Sequence, residues 1–146
     1  MKKQLEAWPW KGGTRPNPPR AIALVPRWTW LQRGGVWNAD VRRQVRGQTG
    51  VYAIRDRRTK TVLYVGESHA FPVNDPARMW KTITRHFQDP TGKFEKMSEW
   101  THRKPGACQV SVWTMPPGEP ERALHLEARA QRRFKPTGII KEPAPF

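Results

Sequence analysis

Gly50-Val51-Tyr52-Ala53-Ile54, then the charged residues 55–60, then Thr61-Val62-Leu63-Tyr64-Val65-Gly66 is the stretch on which the fold turns. Both apolar runs are rich in β-branched and aromatic residues, which suit a pleated, half-buried surface, and the charged segment between them reads as the connection of an antiparallel hairpin. Downstream, Asp75-Pro76 predicts a helix start, with aspartate as N-cap and proline at the first helical position. Met79, Trp80, Ile83 and Phe87 then recur at helical spacing and form a face that needs a sheet to cover it. Gln109-Val110-Ser111-Val112-Trp113 alternates with period two and predicts a third strand, stopped by Pro116-Pro117-Gly118. A second helix is predicted over residues 120–134. The expected class is α/β in the α+β sense: a small three-stranded antiparallel sheet flanked by helices over residues 50–146.

Residues 1–49 differ in character. They hold five of the eight tryptophans, ten lysines and arginines, and only Glu6 and Asp40 as acids, a local charge of about +8. Pro and Gly punctuate this part so closely that no long helix or strand fits before residue 36, and it reads as a basic, Trp/Pro-rich N-terminal arm. In Arg27-Trp28-Thr29-Trp30, basic and aromatic residues interleave, a pattern that suits phosphate contact with base stacking. The same rings suit packing on the domain, because indoles are costly to leave in water. Asn38 is positioned to cap a short helix through Val41 and Val45, ended by Gly47.

The whole chain of 146 residues carries 27 lysines and arginines against 12 acids, a formal charge of +15. Such a surface attracts polyanions, and nucleic acid leads among them. The first ten residues lack the apolar stretch of a secretory signal and no segment reaches bilayer-spanning length, so a cytoplasmic, intracellular protein without membrane contact is expected. A single cysteine, Cys108, excludes an intrachain disulfide and lies in a strand pattern that predicts a packed thiol. His102, Cys108 and His125 match no paired zinc-ligand spacing.

Gly50-Val51-Tyr52 and Tyr64-Val65-Gly66, on the two hairpin strands, resemble the paired triplets of the GIY-YIG nuclease superfamily, with valine for isoleucine in both. An arginine on the helix after Asp75-Pro76, the run Arg85-His86-Phe87, and Leu126-Glu127 followed nine residues later by Pro136 continue that family's order. The resemblance covers about two thirds of the chain. It implies a metal-dependent endonuclease acting on DNA, with RNA also open and a dimer on the substrate as one arrangement for cutting both strands. It further implies Glu127 as ligand of Mg²⁺ or Mn²⁺, Arg78 as stabiliser of the transition state, Tyr52 as base or water activator and Tyr64 as the residue that positions the water or the phosphate. His86 is placed to orient a water or the tyrosine. Arg85 and Lys81, with Arg27, Trp28 and Trp30, are the expected contacts to nucleic acid. Two departures stand out: twelve positions separate Gly66 from Arg78, with Phe71-Pro72-Val73-Asn74 resembling an insertion, and Ile139 stands where the family commonly has asparagine. They keep open a catalytically inactive nucleic-acid-binding module on the same scaffold.

Glu127 has support separate from the resemblance. Projected at 100° per residue, Ala123, Leu126, Ala130 and Phe134 make the buried stripe of its helix and Glu127 lies at the margin, while Arg129 and Arg132 fall on the far side. A carboxylate at the border of a core must be paired or bound to a cation to offset lost hydration, and a nearby arginine would serve as the pair.

Overall fold

The computed structural model describes residues 22–68, 75–87, 103–115 and 120–137. In chain order these form β1 (Thr29–Trp30), β2 (Gln32–Arg33), β3 (Val36–Trp37), α1 (Ala39–Val45), β4 (Thr49–Asp56), β5 (Val62–Ser68), α2 (Arg78–Arg85), a 3₁₀ turn (Pro105–Ala107), β6 (Cys108–Met115) and α3 (Pro120–Phe134). The main sheet is antiparallel with order β1-β6-β4-β5, and β2 and β3 form a separate hairpin.

The class is mixed α+β, but the expected three-stranded sheet has a fourth strand. Thr29 and Trp30 pair with Val110 and Gln109 at the edge of β6. A strand of two residues has no room to display alternation, so its pairing is invisible in a Pro- and Trp-rich composition. Nor is residue 49 a packing boundary. Leu31, Val41 and Val45 are buried in the same core as Tyr52, Ile54 and Val110. Asn38 ties this region together: its backbone N–H donates to the Leu31 carbonyl, its side-chain amide donates to the Trp30 carbonyl, and its Oδ1 accepts from the N–H groups of Asp40 and Val41 as the N-cap of α1. Gly34 and Gly35, at φ of 54° and 79°, supply the left-handed turn that joins β2 to β3.

Core residues divide between the two faces of the sheet. On one, Tyr52, Ile54, Leu63 and Val110 meet α1 and α2 through Val41, Val45, Met79, Trp80 and Ile83; on the other, Val51, Ala53, Val65, Trp113 and Met115 meet α3 through Ala123, Leu126 and Ala130. β4 lies between two partners, so Thr49 to Ile54 are buried on both faces. Opposite Ile54, the pairing skips Leu63 between Tyr64 and Val62, a bulge that turns Leu63 and Tyr64 to the same side. α2 begins later than expected. Asp75 accepts from the Ala77 N–H and Ala77 is the N-cap, so Asp75-Pro76 form a turn ahead of the helix. Among the described residues no helix is long and apolar enough to cross a membrane.

Candidate active site

Tyr52 sits on the central strand, directly opposite Gly66 of β5. Its ring lies across that glycine: a Cβ at position 66 would come 2.7 Å from the Tyr52 hydroxyl oxygen and 2.7 Å from Cε2 of Tyr64. The second triplet thus ends in glycine because two phenol rings occupy the space of a side chain. The Tyr52 hydroxyl is 2.6 Å from Nε2 of His86, the C-cap of α2, and the Tyr64 ring centroid is 4.4 Å from that of His86. The two phenols are also hydrogen-bonded to each other. Tyr52 is 1% exposed and His86 5%, whereas Tyr64 keeps partial contact with solvent. The cluster is therefore a short chain of polar groups with Tyr64 at its open end.

Glu127 approaches from the α3 side of the edge strand. Its carboxylate accepts the backbone N–H of Glu67, and one helical turn on, Gln131 Nε2 donates to the Val65 carbonyl. Two α3 side chains thus satisfy outward-facing backbone groups of β5, whose free edge has no further strand among the described residues. Burial first, and then the negative charge of Glu67, push Glu127 up to about 7. Both carboxylates act on the phenols. Burial, reinforced by Tyr64, Glu127 and Glu67, holds Tyr52 well above the ordinary tyrosine value, and burial with Glu127 pushes Tyr64 up to about 12. A resting phenolate at Tyr52 is thereby disfavoured, because the charges around it are negative rather than the cations such a base requires. Burial and then the Arg85 charge lower His86 to about 4, so it is neutral at pH 7 and a weak base, with Nε2 facing the Tyr52 hydroxyl.

Among the described residues, Glu127 and Glu67, near enough for the charge of one to act on the other, could hold a divalent cation here. Hard carboxylate oxygens suit Mg²⁺ or Mn²⁺, which commonly use one or two carboxylates with water and substrate phosphate. The buried Oε1 of Gln131, one turn from Glu127, accepts no hydrogen bond from the described residues and is a further oxygen of that kind. No group of three or more His, Cys, Asp or Glu side chains gathers among the described residues.

The remaining expected residues are spread around this cluster. Arg78 opens α2, on the same helical line as Thr82 and His86, about 12 Å from His86 along the axis. Its charge acts on Asp75, which is already paired with Lys81 at 3.0 Å, while the Arg85 charge acts on His86. Trp28 has the Arg55 guanidinium 4.5 Å above its ring and its edge on Phe134, and Trp30 lies under Arg33 at 4.7 Å. Both indoles are half-buried, each with a guanidinium over its ring. Arg27 is exposed, with its backbone N–H held by Ser111 Oγ. Ile139, the segment 71–74, His102 and the arm before residue 22 lie outside the described residues.

Glu67 and Gln131 were not among the expected residues. A signal for Glu67 was present: it shares the period-two face of Val65, so a carboxylate continues an apolar row. Gln131, four residues after Glu127, shares its helical face.

The raised Glu127 value has a consequence for stability without metal. A carboxyl that binds its proton more tightly when folded favours the native state fully below its unfolded value of 4.5, and this contribution is lost as pH rises through about 7. His86 acts oppositely: its lowered value takes away stability as pH falls from 6.5 toward about 4. In urea denaturation with EDTA, Glu127→Gln is therefore expected to gain on the parent between pH 5 and pH 8. An equal difference at both pH values would show that Glu127 titrates as an ordinary surface carboxylate. No family model, curated protein or solved structure matches this chain.

Proposed function

We propose that the chain is a metal-dependent endonuclease that hydrolyses phosphodiester bonds in DNA. The observation that carries this reading is the hydrogen-bonded chain Tyr64, Tyr52, His86 within electrostatic reach of the Glu127 and Glu67 carboxylates. Such an arrangement combines a proton-accepting path with a cation-binding pair, the two requirements for attacking a phosphodiester with water. Glu127 and Glu67 would hold Mg²⁺ or Mn²⁺, which when bound supplies positive charge at the scissile phosphate. Tyr64, the more exposed phenol, orients the water and receives its proton as its own passes to Tyr52, whose proton passes to His86 Nε2; burial holds His86 at about 4, so this imidazolium is transient and returns its proton to solvent through the same chain. Each phenol remains neutral before and after, so the route does not need a resting phenolate. Arg78 stabilises charge on the phosphoryl oxygens, having little to lose because Asp75 is held by Lys81. Arg85 and the wider basic surface hold the nucleic-acid backbone.

A second reading is a noncatalytic nucleic-acid-binding module on the same scaffold. The observation favouring it is the burial of Tyr52, 1% exposed. Incubation of purified protein with supercoiled plasmid and Mg²⁺ or Mn²⁺ separates the two. Nicking is expected in the parent, with a loss of at least about 10²-fold in Glu127→Gln. Plasmid binding without nicking under either metal, or equal nicking by Glu127→Gln, would replace the enzyme by the binding module.

A further inference from the structure

A cavity of about 190 Å³ lies away from the tyrosine cluster, between the exposed side of α1 and the entry to α2, lined by Arg42, Arg43, Arg46, Pro76, Ala77 and Trp80, with Ala39 at its edge. The backbone N–H of Gly47 donates to the Pro76 carbonyl at 2.8 Å, which fixes the end of α1 against the turn before α2 and so holds the walls together. The charge around it is not balanced. Arg43 is paired with Asp40 at 2.8 Å and Lys81 with Asp75 at 3.0 Å, whereas Arg42 and Arg46 have no ion pair among the described residues. Some clustering of arginine at the end of a helix stabilises the helix dipole. That role does not call for a cavity, nor for an indole and a proline in its wall.

We propose that this cavity is a subsite for the sugar-phosphate backbone of a polynucleotide, with phosphate on Arg42 and Arg46 and the apolar side of the sugar against Pro76, Ala77 and Trp80. Arginine presents a planar fork of donors that matches two phosphate oxygens, and the carbon surface of the wall matches a ligand that is anionic on one side only. Free inorganic phosphate has no apolar side and uses half of the site. The proposal deepens the nucleic-acid reading and rests on it for the identity of the polyanion. Along α2, Ala77 and His86 are nine residues apart, about 13 Å. At 3.4 Å of rise per nucleotide, the subsite therefore stands roughly four base steps from the tyrosine cluster.

The experiment measures binding of a fluorescently labelled DNA duplex in EDTA, so that cleavage plays no part, across a salt series. Arg42→Ala/Arg46→Ala is expected to weaken binding at least tenfold and to flatten the slope of log affinity against log salt by about 0.9 for each phosphate that the variant no longer neutralises. A charge-matched control, Arg57→Ala/Arg132→Ala, removes two exposed arginines elsewhere and is expected to change affinity less than threefold. Equal losses in both variants, or none in the first, would overturn the subsite, since the charge would then act only as a diffuse field. In a second arm, the side-chain N–H resonances of Arg42 and Arg46 are expected to shift with duplex and to remain in place with inorganic phosphate alone. Equal shifts with both would assign the cavity to a free phosphate and overturn the polynucleotide assignment. Failure of the nuclease reading looks different: no nicking, with this binding and its arginine dependence intact.

Discussion

Tyr52→Phe is expected to lower metal-dependent plasmid nicking by about 10²- to 10⁴-fold, the range typical of removing a general acid–base group. The ring is retained, so the packing of Tyr52 on Ile54, Met79 and Ile83 is kept and only the hydroxyl between Tyr64 and His86 is removed. His86 Nε2 then has no partner from Tyr52 in a site that is 5% exposed, which costs about 1–3 kcal/mol. Tyr64→Phe differs in a useful way. It removes the open end of the chain, where exposure lets water take the place of the phenol, so a comparable loss of rate is expected with a smaller loss of stability. Single-turnover nicking and urea denaturation of both variants separate the two effects. Rates equal to the parent in both would end the proton path; a rate loss that only followed the unfolded fraction would reduce Tyr52 to a packing role.

Much of this arrangement is legible in the sequence, for reasons that differ from residue to residue. α3 is readable because its apolar stripe persists over 15 residues: Ala123, Leu126 and Ala130 are buried, and Glu127 stands at the margin as its projection requires. β4 and β5 are readable because β-branched and aromatic residues fill them. What pattern cannot give is the pairing of short segments. β1 is recruited to β6 by tertiary contacts of Leu31, Trp30 and Asn38, and no local preference in residues 22–37 encodes that partnership. The proton path shows the same division. Tyr52, Tyr64 and His86 can each be singled out, but their order from buried to exposed depends on the bulge at Leu63 and on where α2 ends. Arg78 and Arg85 share a helix face in projection, yet the structure separates the charges they act upon, Asp75 and His86 respectively. Glu67 shows a limit of reading a motif by its named positions: the carboxylate that most alters Glu127 is the residue immediately after the second triplet.

The two triplet glycines predict opposite kinds of failure, and this contrast tests site and scaffold together. At Gly50 a Cβ would lie 2.2 Å from the Trp113 carbonyl oxygen and 3.1 Å from the Thr114 Cα. Both obstacles are backbone of β6, paired with β4 from Thr49–Met115 to Asp56–Cys108, so relief requires moving a ladder between central strands. Gly50→Ala is accordingly expected to lose about 3 kcal/mol in urea denaturation, the upper end for overpacking, or to fail to fold. At Gly66 the obstacles are side chains: the Tyr52 hydroxyl and Tyr64 Cε2 at 2.7 Å and Tyr52 Cζ at 2.8 Å. Rings move more readily than a paired backbone, so Gly66→Ala is expected to fold with a loss of about 1–2 kcal/mol. The displaced rings are the proposed catalytic ones, however. A shift of about 1 Å at reacting groups costs on the order of 10²-fold in rate, and nicking by Gly66→Ala is expected to fall by at least that much at temperatures where the protein remains folded. If folded Gly66→Ala nicks at the parental rate, the phenols are scaffold and not chemistry, whatever Glu127 does. If it loses nicking while duplex binding in EDTA is unchanged, the glycine opposite Tyr52 is required for the position of the two rings rather than for the hold on DNA.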